Sequence, residues 1–379
     1  MNTAVRPSEV PAPSDDALSF HADLPGYRPT PVRPLPALAS ELRIGAVAIK
    51  DESDRFGLPA FKVLGASWAV ERALREQPGV HTLVAASAGN HGRAVAHVAA
   101  TRGLRARIFL PARAAAARRD AIAAEGADVI LVAGGYEDAV ATATTEGAGE
   151  GVIAIADVGA SGSARWVIDG YATLFAEVAV QSDFDLIVVP VGVGSLAAAA
   201  ARFGAQAGVA VIGVEPVTAA CLTAALSAGL PVEVPTPGTA MAGLDCAVVS
   251  EIAWPSLRDG IHGTVTVDDY EARAAMRELA GAGLAIGDCG AAPVAALRAL
   301  SRERDCADLR DAIEFGPSTR VLLIATEGLT DPDSYAKPSV DSTIRPWHSN
   351  QAHTSSGPTT RASSSRHTAK GSPRRRGMT

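Results

Sequence analysis

From about residue 79 onward the chain alternates short β-rich runs with alanine-rich helical stretches, and this alternation constrains the fold more than any other feature. "TLVAAS" reads as a strand and "GRAVAHVAATRG" as a helix that Gly103 ends. The pairs "RARIFLP" with "AAARRDAIAAEG" and "DVILVAG" with "YEDAVATATTEG" repeat the unit, and "GVIAIAD" closes the series. A second series runs through the helix "GYATLFAEVAVQ", the strand "DLIVVPVG", the helix "SLAAAAARFGAQAG" and the strand "VAVIGVEP". Helices at "DDYEARAAMRELAGAG" and "AAPVAALRALSRERD" lead to a last strand, "RVLLIATEG". Strands separated by helices build parallel sheets. Two series predict an α/β fold of two lobes with mostly parallel twisted sheets, not one barrel, and a ligand in the cleft between them.

The 379 residues, 47% of them apolar, suffice for one split domain or two. The net charge of −7 is unevenly spread. Residues 337–379 carry two lysines and six arginines against one aspartate, a net +7, which leaves −14 on the rest. An acidic body excludes a nucleic-acid-binding core, which needs a basic stripe against phosphates. The end, rich in Ser, Thr, Gly, Pro and Arg, has too little apolar surface to offset its ordering entropy and is predicted to be a disordered tail. Four scattered cysteines, Cys221, Cys246, Cys289 and Cys306, show no metal-ligand spacing and no disulfide framework. The start lacks a basic segment followed by an apolar run, and no window suits a membrane span, so a cytoplasmic protein is expected.

Three stretches suggest chemistry. The chain holds four lysines, two of them in "KDESDRFGLPAFKVLG". Lys62 there follows Phe61 and precedes the helical pattern "VLGASWAVERAL". Partial burial and a helix N-terminus both lower an amine's pKa, and a neutral amine is what Schiff-base chemistry requires. The second stretch, "AASAGNHGRAVA", places Ser87, Ala88, Gly89 and Asn90 between a strand and a helix, where backbone N–H groups can hold a carboxylate. In the third, "VPVGVGSLAAAA", Gly192, Val193, Gly194, Ser195 and Leu196 form a glycine turn at a helix start, the arrangement that cradles phosphate. This turn also fits an abbreviated dinucleotide fingerprint, with Glu215 about twenty residues on as a ribose-binding acid. A nicotinamide-dependent dehydrogenase is therefore an alternative, though it explains neither Lys62 nor the SAGNHG turn.

The order of Lys62, SAGNHG, VGVGSL and a strand ending in Thr326 resembles the pyridoxal-phosphate enzymes of fold type II, the tryptophan synthase β-like group that includes threonine and serine dehydratases. "KDESDRFGLPAFKVLGAS", "GNHGRAVA", "WVIDGYATLFAE", "TAMAGLDC", "GDCGAAP" and "ATEGLTDPDSY" carry the resemblance across roughly residues 28–335, and place it nearest the diaminopropionate ammonia-lyase branch. It implies an N-terminal extension at 1–27, a large cofactor-binding lobe from 28–66 and 171–336, and a small lobe at 67–170. It implies that Lys62 bonds covalently to pyridoxal phosphate. The turn of Gly192, Val193, Gly194, Ser195 and Leu196 would hold the phosphate, Asn90 the ring hydroxyl and Thr326 the pyridine nitrogen.

By the same resemblance the substrate is a small β-substituted amino acid, foremost 2,3-diaminopropionate, which loses ammonia by α,β-elimination to give pyruvate. Lys62 would remove the α-proton. Asp157, in "AIADVGASG", matches a catalytic aspartate of the branch and would donate a proton or contact the β-amino group. Ser87, Ala88, Gly89 and Asn90 would bind the α-carboxylate. No metal is implied, and a homodimer is expected.

Two departures bear on the substrate. The branch carries an aspartate where this chain has Ala88, so "SAGNHG" is the dehydratase form of the loop, and the stretch "DVGASGSARWVIDGY" is smaller and richer in glycine than the branch's aromatic run. A threonine or serine dehydratase-like deaminase, or a β-replacement enzyme, is therefore a second reading, with His91 favouring deamination. An inactive ligand-binding homologue is a third.

Overall fold

The computed structural model describes residues 1–2, 4–14, 16–158 and 162–330. The basic tail expected at 337–379 lies outside the described residues. Helix α1 (Asp16–Ala22), strand β1 (Val32–Pro34), helix α2 (Pro36–Leu42) and strand β2 (Ala46–Asp51) precede α3 (Lys62–Glu76). The first alternating series follows as β3 (Thr82–Ala86), α4 (Asn90–Thr101), β4 (Arg105–Pro111), α5 (Ala116–Ala123), β5 (Asp128–Val132), α6 (Tyr136–Glu146) and β6 (Val152–Ala154). The long α7 (Gly162–Gln181) leads to β7 (Leu186–Pro190), α8 (Ser195–Ala207), β8 (Ala210–Pro216), α9 (Cys221–Ala228) and α10 (Trp254–Gly260). Then come β9 (Gly263–Val267), α11 (Asp269–Gly281), α12 (Asp288–Arg302), α13 (Ala307–Ala312) and β10 (Arg320–Ala325).

The strands form two sheets, as the two series predict. The larger has the order β1-β2-β10-β7-β8-β9 and the smaller β5-β4-β3-β6. Every pairing is parallel except β1 with β2. Central β7 and β10 are apolar, and each residue of β7 is buried, because helices cover both faces of this sheet. Leu323 of β10 sits opposite Ile49 of β2 on one side and Val188 of β7 on the other.

Strand order decides where a ligand can enter. In the large sheet the chain runs from β7 outward through β8 to β9 and then returns to β10 on the other side, so the direction reverses between β7 and β10. In the small sheet it runs from β3 through β4 to β5 and returns to β6, with the reversal between β3 and β6. Crevices open beyond the C-terminal ends of strands at such reversals. The residues after β7, β10, β3 and β6 are the glycine turn, Thr326, Ser87 and Asp157, each of them singled out in the sequence.

Helices α3 and α7 cross at glycines. A Cβ on Gly65 would lie 2.6 Å from the Tyr171 ring, and one on Gly170 would lie 2.5 Å from the Leu64 carbonyl oxygen. The absent side chains let Tyr171 press against the first turn of α3, where Lys62 is. Helix α1 packs onto the same helices. His21 is wholly buried, its Nδ1 2.7 Å from the Thr173 hydroxyl and its Nε2 3.0 Å from the Leu64 carbonyl and the Ser67 hydroxyl. Burial lowers its pKa to about 4, with the Leu64 carbonyl opposing.

Strands β1, β2 and β9 lie outside the predicted alternation. "AVAIKD" ends in two charged residues, Lys50 and Asp51, and both are buried. Helix α7 begins eight residues before the predicted "GYATLFAEVAVQ", its first turns passing through "GSARWVID".

Candidate active site

Lys62 opens α3, at the helix start that the sequence predicts. Its Nζ donates to Asp157 Oδ2 at 2.9 Å, with the lysine side chain 23% exposed and the aspartate 13%. The Phe61 and Tyr171 rings flank the amine, their centroids 5.5 and 6.0 Å away. Burial alone would lower this pKa, as expected from the sequence. The charge of Asp157, the Tyr171 hydroxyl and the hydrogen bond to Asp157 outweigh it, and the amine is held well above the ordinary lysine value. This corrects the prediction of a neutral amine: desolvation was foreseen, but the carboxylate 95 residues away was not counted against it.

Asp157 follows β6 by three residues. Burial would raise its carboxyl, but His91 and the Lys62 ammonium overcome that and hold it well below the usual carboxylate range. It is therefore an acceptor. His91, in the first turn of α4, is 2% exposed; its Nε2 bonds the Ile155 carbonyl at 2.9 Å and its Nδ1 stands 3.9 Å from Asp157 Oδ2. Ser195 Oγ donates to the Asp157 carbonyl at 3.1 Å, which ties the aspartate's loop to the glycine turn.

That turn joins β7 to α8. Gly194 caps α8 with φ of 93°, a left-handed conformation that favours glycine, and a Cβ there would also strike Leu257 at 2.6 Å. A Cβ on Gly192 would meet the Gly243 carbonyl at 2.7 Å and Cys246 Sγ at 3.1 Å. The first N–H groups of a helix have no partners within it. At the start of α8 they and the helix dipole favour an anion.

Opposite the turn, Thr326 follows β10 and is 6% exposed, and its Oγ1 finds no hydrogen-bond partner among the described residues. Ser87, Ala88, Gly89 and Asn90 link β3 to α4, with the Gly89 N–H 3.2 Å from Ser87 Oγ. Asn90 Nδ2 donates to Glu327, a partner that the sequence did not suggest. Glu215 is not at the site. It is wholly buried and accepts from the Leu222 and Thr223 N–H groups at 2.6 and 2.9 Å, capping α9, so the ribose-binding role weighed for it is excluded.

Three further side chains border the site. Tyr136 opens α6 and lines a cavity of about 30 Å³ together with Ala86, Ile155, Asp157 and Val158. Burial of its hydroxyl end, with Asp157 and Cys246 nearby, raises its pKa. Cys246 is pushed up to about 12 by burial, against the pull of the Lys62 ammonium. Tyr171 is likewise pushed up to about 12 by burial. The two glycines between β5 and Tyr136 were the one signal in the sequence that marked it as a turn residue facing a cleft.

An amine held beside a carboxylate, an anion cradle and an unpaired buried hydroxyl converge on the crevice where two parallel sheets reverse direction. Fold and site thus define an α/β protein whose crevice sets an amine beside an anion-favouring helix start. Residues 24–327 match the pyridoxal-phosphate dependent enzymes, and the chain belongs to that family. Diaminopropionate ammonia-lyase of Salmonella typhimurium is 33% identical over 363 residues, covering 84% of this chain and 90% of that one. The structure of diaminopropionate ammonia-lyase from Escherichia coli in complex with an aminoacrylate-PLP azomethine intermediate superposes with a TM-score of 0.80 at 29% identity, covering 88% of this chain and 94% of that one. Threonine deaminase isoform 2 of Solanum lycopersicum gives 0.72 at 25% identity, covering 89% and 90%. The fold is that of the fold type II enzymes.

The residues present fit the cofactor. The unpaired Thr326 hydroxyl would offer a partner to a pyridine nitrogen, a Cβ on Gly192 or Gly194 would crowd the turn, and Lys62 would supply the amine.

Proposed function

We propose that this chain is an ammonia-lyase that eliminates ammonia from 2,3-diaminopropionate, the released enamine hydrolysing to pyruvate and a second ammonia. The observation that carries it is the Lys62–Asp157 pair at 2.9 Å beside the glycine cradle. The similarity to the Salmonella typhimurium ammonia-lyase over 84% of the chain supports it.

Gly192, Val193, Gly194, Ser195 and Leu196 would receive the cofactor phosphate, Asn90 would offer its amide to the ring hydroxyl, and Lys62 would supply the amine that holds it. Thr326 would offer the pyridine nitrogen a hydroxyl in place of a charged partner, an environment that suits elimination. Bound there, the cofactor supplies an electron sink for charge developing at the substrate Cα. Ser87, Ala88, Gly89 and Asn90, at the start of the 12-residue helix α4, receive the substrate carboxylate.

Lys62 takes the Cα proton onto Nζ, which requires it first to be neutral. Asp157 governs that condition, because its charge is what holds the amine protonated. An anionic Asp157 is better suited to bind the substrate's β-ammonium than to donate a proton. When the carbon–nitrogen bond breaks, its electron pair leaves with nitrogen, and ammonia departs with the three protons it brought.

Residues 28–66 and 171–336 serve in this reading as the cofactor-binding lobe and 67–170 as the smaller one, and the working unit is a cytoplasmic homodimer. Among the described residues no helix is long and apolar enough to cross a membrane. Dehydratase activity on serine or threonine is the second reading. It is favoured by Ala88, which offers no carboxylate and packs partly buried against the core.

Release of keto acid and ammonia by the cofactor-loaded protein, measured across L- and D-diaminopropionate, serine and threonine, tests the proposal. The highest kcat/KM is expected for L-diaminopropionate. Turnover of serine or threonine with none of either diaminopropionate isomer would transfer the case to the dehydratase reading.

A further inference from the structure

Glu327 follows Thr326 directly and is 8% exposed, in a place where an ionisable side chain needs a reason to be buried. Its backbone bridges Ala60, two residues before Lys62, and its carbonyl accepts from the Gly287 N–H at 3.0 Å. Its Oε2 accepts from Asn90 Nδ2, so one carboxylate spans from the large sheet to the start of α4 beside the small sheet. The charged and titratable neighbours are Cys289 and Asp288 on α12 and Arg118 on α5. Burial raises the Glu327 carboxyl, Cys289 and Asn90 offset this by hydrogen bonding, Asp288 adds to it, and Arg118 opposes it.

A side-chain amide has two N–H donors on one nitrogen, set about 120° apart, and one carbonyl acceptor. A carboxylate that engages one N–H dictates which way the amide faces. It leaves the second N–H, not the carbonyl, available to whatever lies on the other side of Asn90. Without the carboxylate the amide can turn over and present its oxygen.

We propose that Glu327 is a positioning residue that, through Asn90, fixes the hydrogen bond to the cofactor's ring oxygen and so sets the protonation of the bound cofactor. This rests on the reading of Lys62, Asn90 and Thr326 as the cofactor site. It adds a residue that touches neither substrate nor cofactor but determines how Asn90 meets the ring.

The test uses the cofactor-loaded full chain and follows its visible absorbance against pH, in the wild type, Glu327→Gln, Asn90→Ala and the double variant. An N–H donated to the ring oxygen draws charge from it and eases loss of the neighbouring proton, so Glu327→Gln, which lets Asn90 present its oxygen instead, is expected to raise the titration midpoint by about one pH unit, a tenfold change. In the Asn90→Ala background the same substitution should move it by less than about a third of that, because the two residues act as one unit. Glu327→Asp, which keeps the charge and shortens the reach, is expected to give an intermediate midpoint, and carries the test if the Gln variant does not load. A midpoint unchanged by both Glu327 variants, or an equal shift with and without Asn90, would overturn the proposal while leaving the cofactor reading intact. A wild type that takes up no pyridoxal phosphate would overturn both.

Discussion

The two lysines of "KDESDRFGLPAFKVLG" sit twelve residues apart and face carboxylates in opposite ways. Lys50 is wholly buried, and its Nζ donates to the Thr30 carbonyl at 2.7 Å, Glu177 at 2.7 Å and Gln181 at 2.9 Å, which uses all three of its protons. Glu177 in turn binds Arg55, which also holds Glu52, so the amine belongs to a closed network of buried charges. Lys62 has a single hydrogen bond among the described residues, to Asp157, and keeps an open side toward the cleft. Their pKa values move apart accordingly. Burial lowers that of Lys50 more than Glu177 and Glu52 can restore, whereas for Lys62 the opposing charge prevails. A saturated amine can only hold the fold together. An unsaturated one beside a single carboxylate can change partners, and covalent chemistry requires that.

This contrast is broken most sharply at Lys62. Lys62→Ala is expected to cut turnover by about 10³-fold or more. Covalent attachment of the cofactor, read by mass spectrometry after hydride reduction, should be lost. Stability should fall by about 1–3 kcal/mol, less than for Lys50, because the Asp157 carboxylate loses its single amine partner but no wider network breaks. A variant that retained attachment would place the amine elsewhere.

Lys50→Ala should do the reverse. Removing one member of a buried charge network leaves Glu177 partly unpaired, and a loss of about 3–5 kcal/mol is expected in denaturant unfolding. The folded fraction should bind cofactor normally. A loss below about 1 kcal/mol would mean that the network is not what secures β2, α7 and residues 27–30.

A smaller effect sharpens the comparison. Asp157→Asn is expected to lower turnover by about 10²-fold. It should also change how stability depends on pH. Because the Asp157 carboxyl is held below its ordinary 3.8, its contribution is present above that value and is lost as pH falls through the depressed one. Because Lys62 is held above its ordinary 10.5, its contribution is present below that value and fades only as pH rises through the elevated one. The stability difference between wild type and Asp157→Asn should therefore be widest between those two ordinary values and narrow toward either extreme. A difference that did not vary with pH would separate Asp157 from Lys62.

Much of the site was legible because it is built from local motifs. Lys62 at a helix start, Gly194 at a cap needing positive φ and Ser87 after a strand are consequences of neighbours within a few residues. The partners were not legible. Asn90 and Glu327 stand 237 residues apart, and nothing in "ATEGLT" indicates that its glutamate turns inward to the turn of "SAGNHG". Glu215 misled because its distance from a glycine turn suits a ribose-binding acid, while its true partners lie seven and eight residues ahead at the start of α9. Tyr136 was marked only by the two glycines before it, and Cys246, though it ends "TAMAGLDC", was given no role by its neighbours.

By itself the sequence determined the α/β class, the parallel character of both sheets and the glycine turns at the starts of α4 and α8, because periodicity, glycine placement and helix starts act over short spans of chain. Tertiary structure decided the protonation of Lys62, the partner of Asn90 and the division between a lysine saturated with hydrogen bonds and one that is not. The physical reason is that charge and hydrogen-bond saturation depend on which distant groups the two strand-order reversals bring into one crevice, and dielectric burial makes each such encounter count for more than any local propensity.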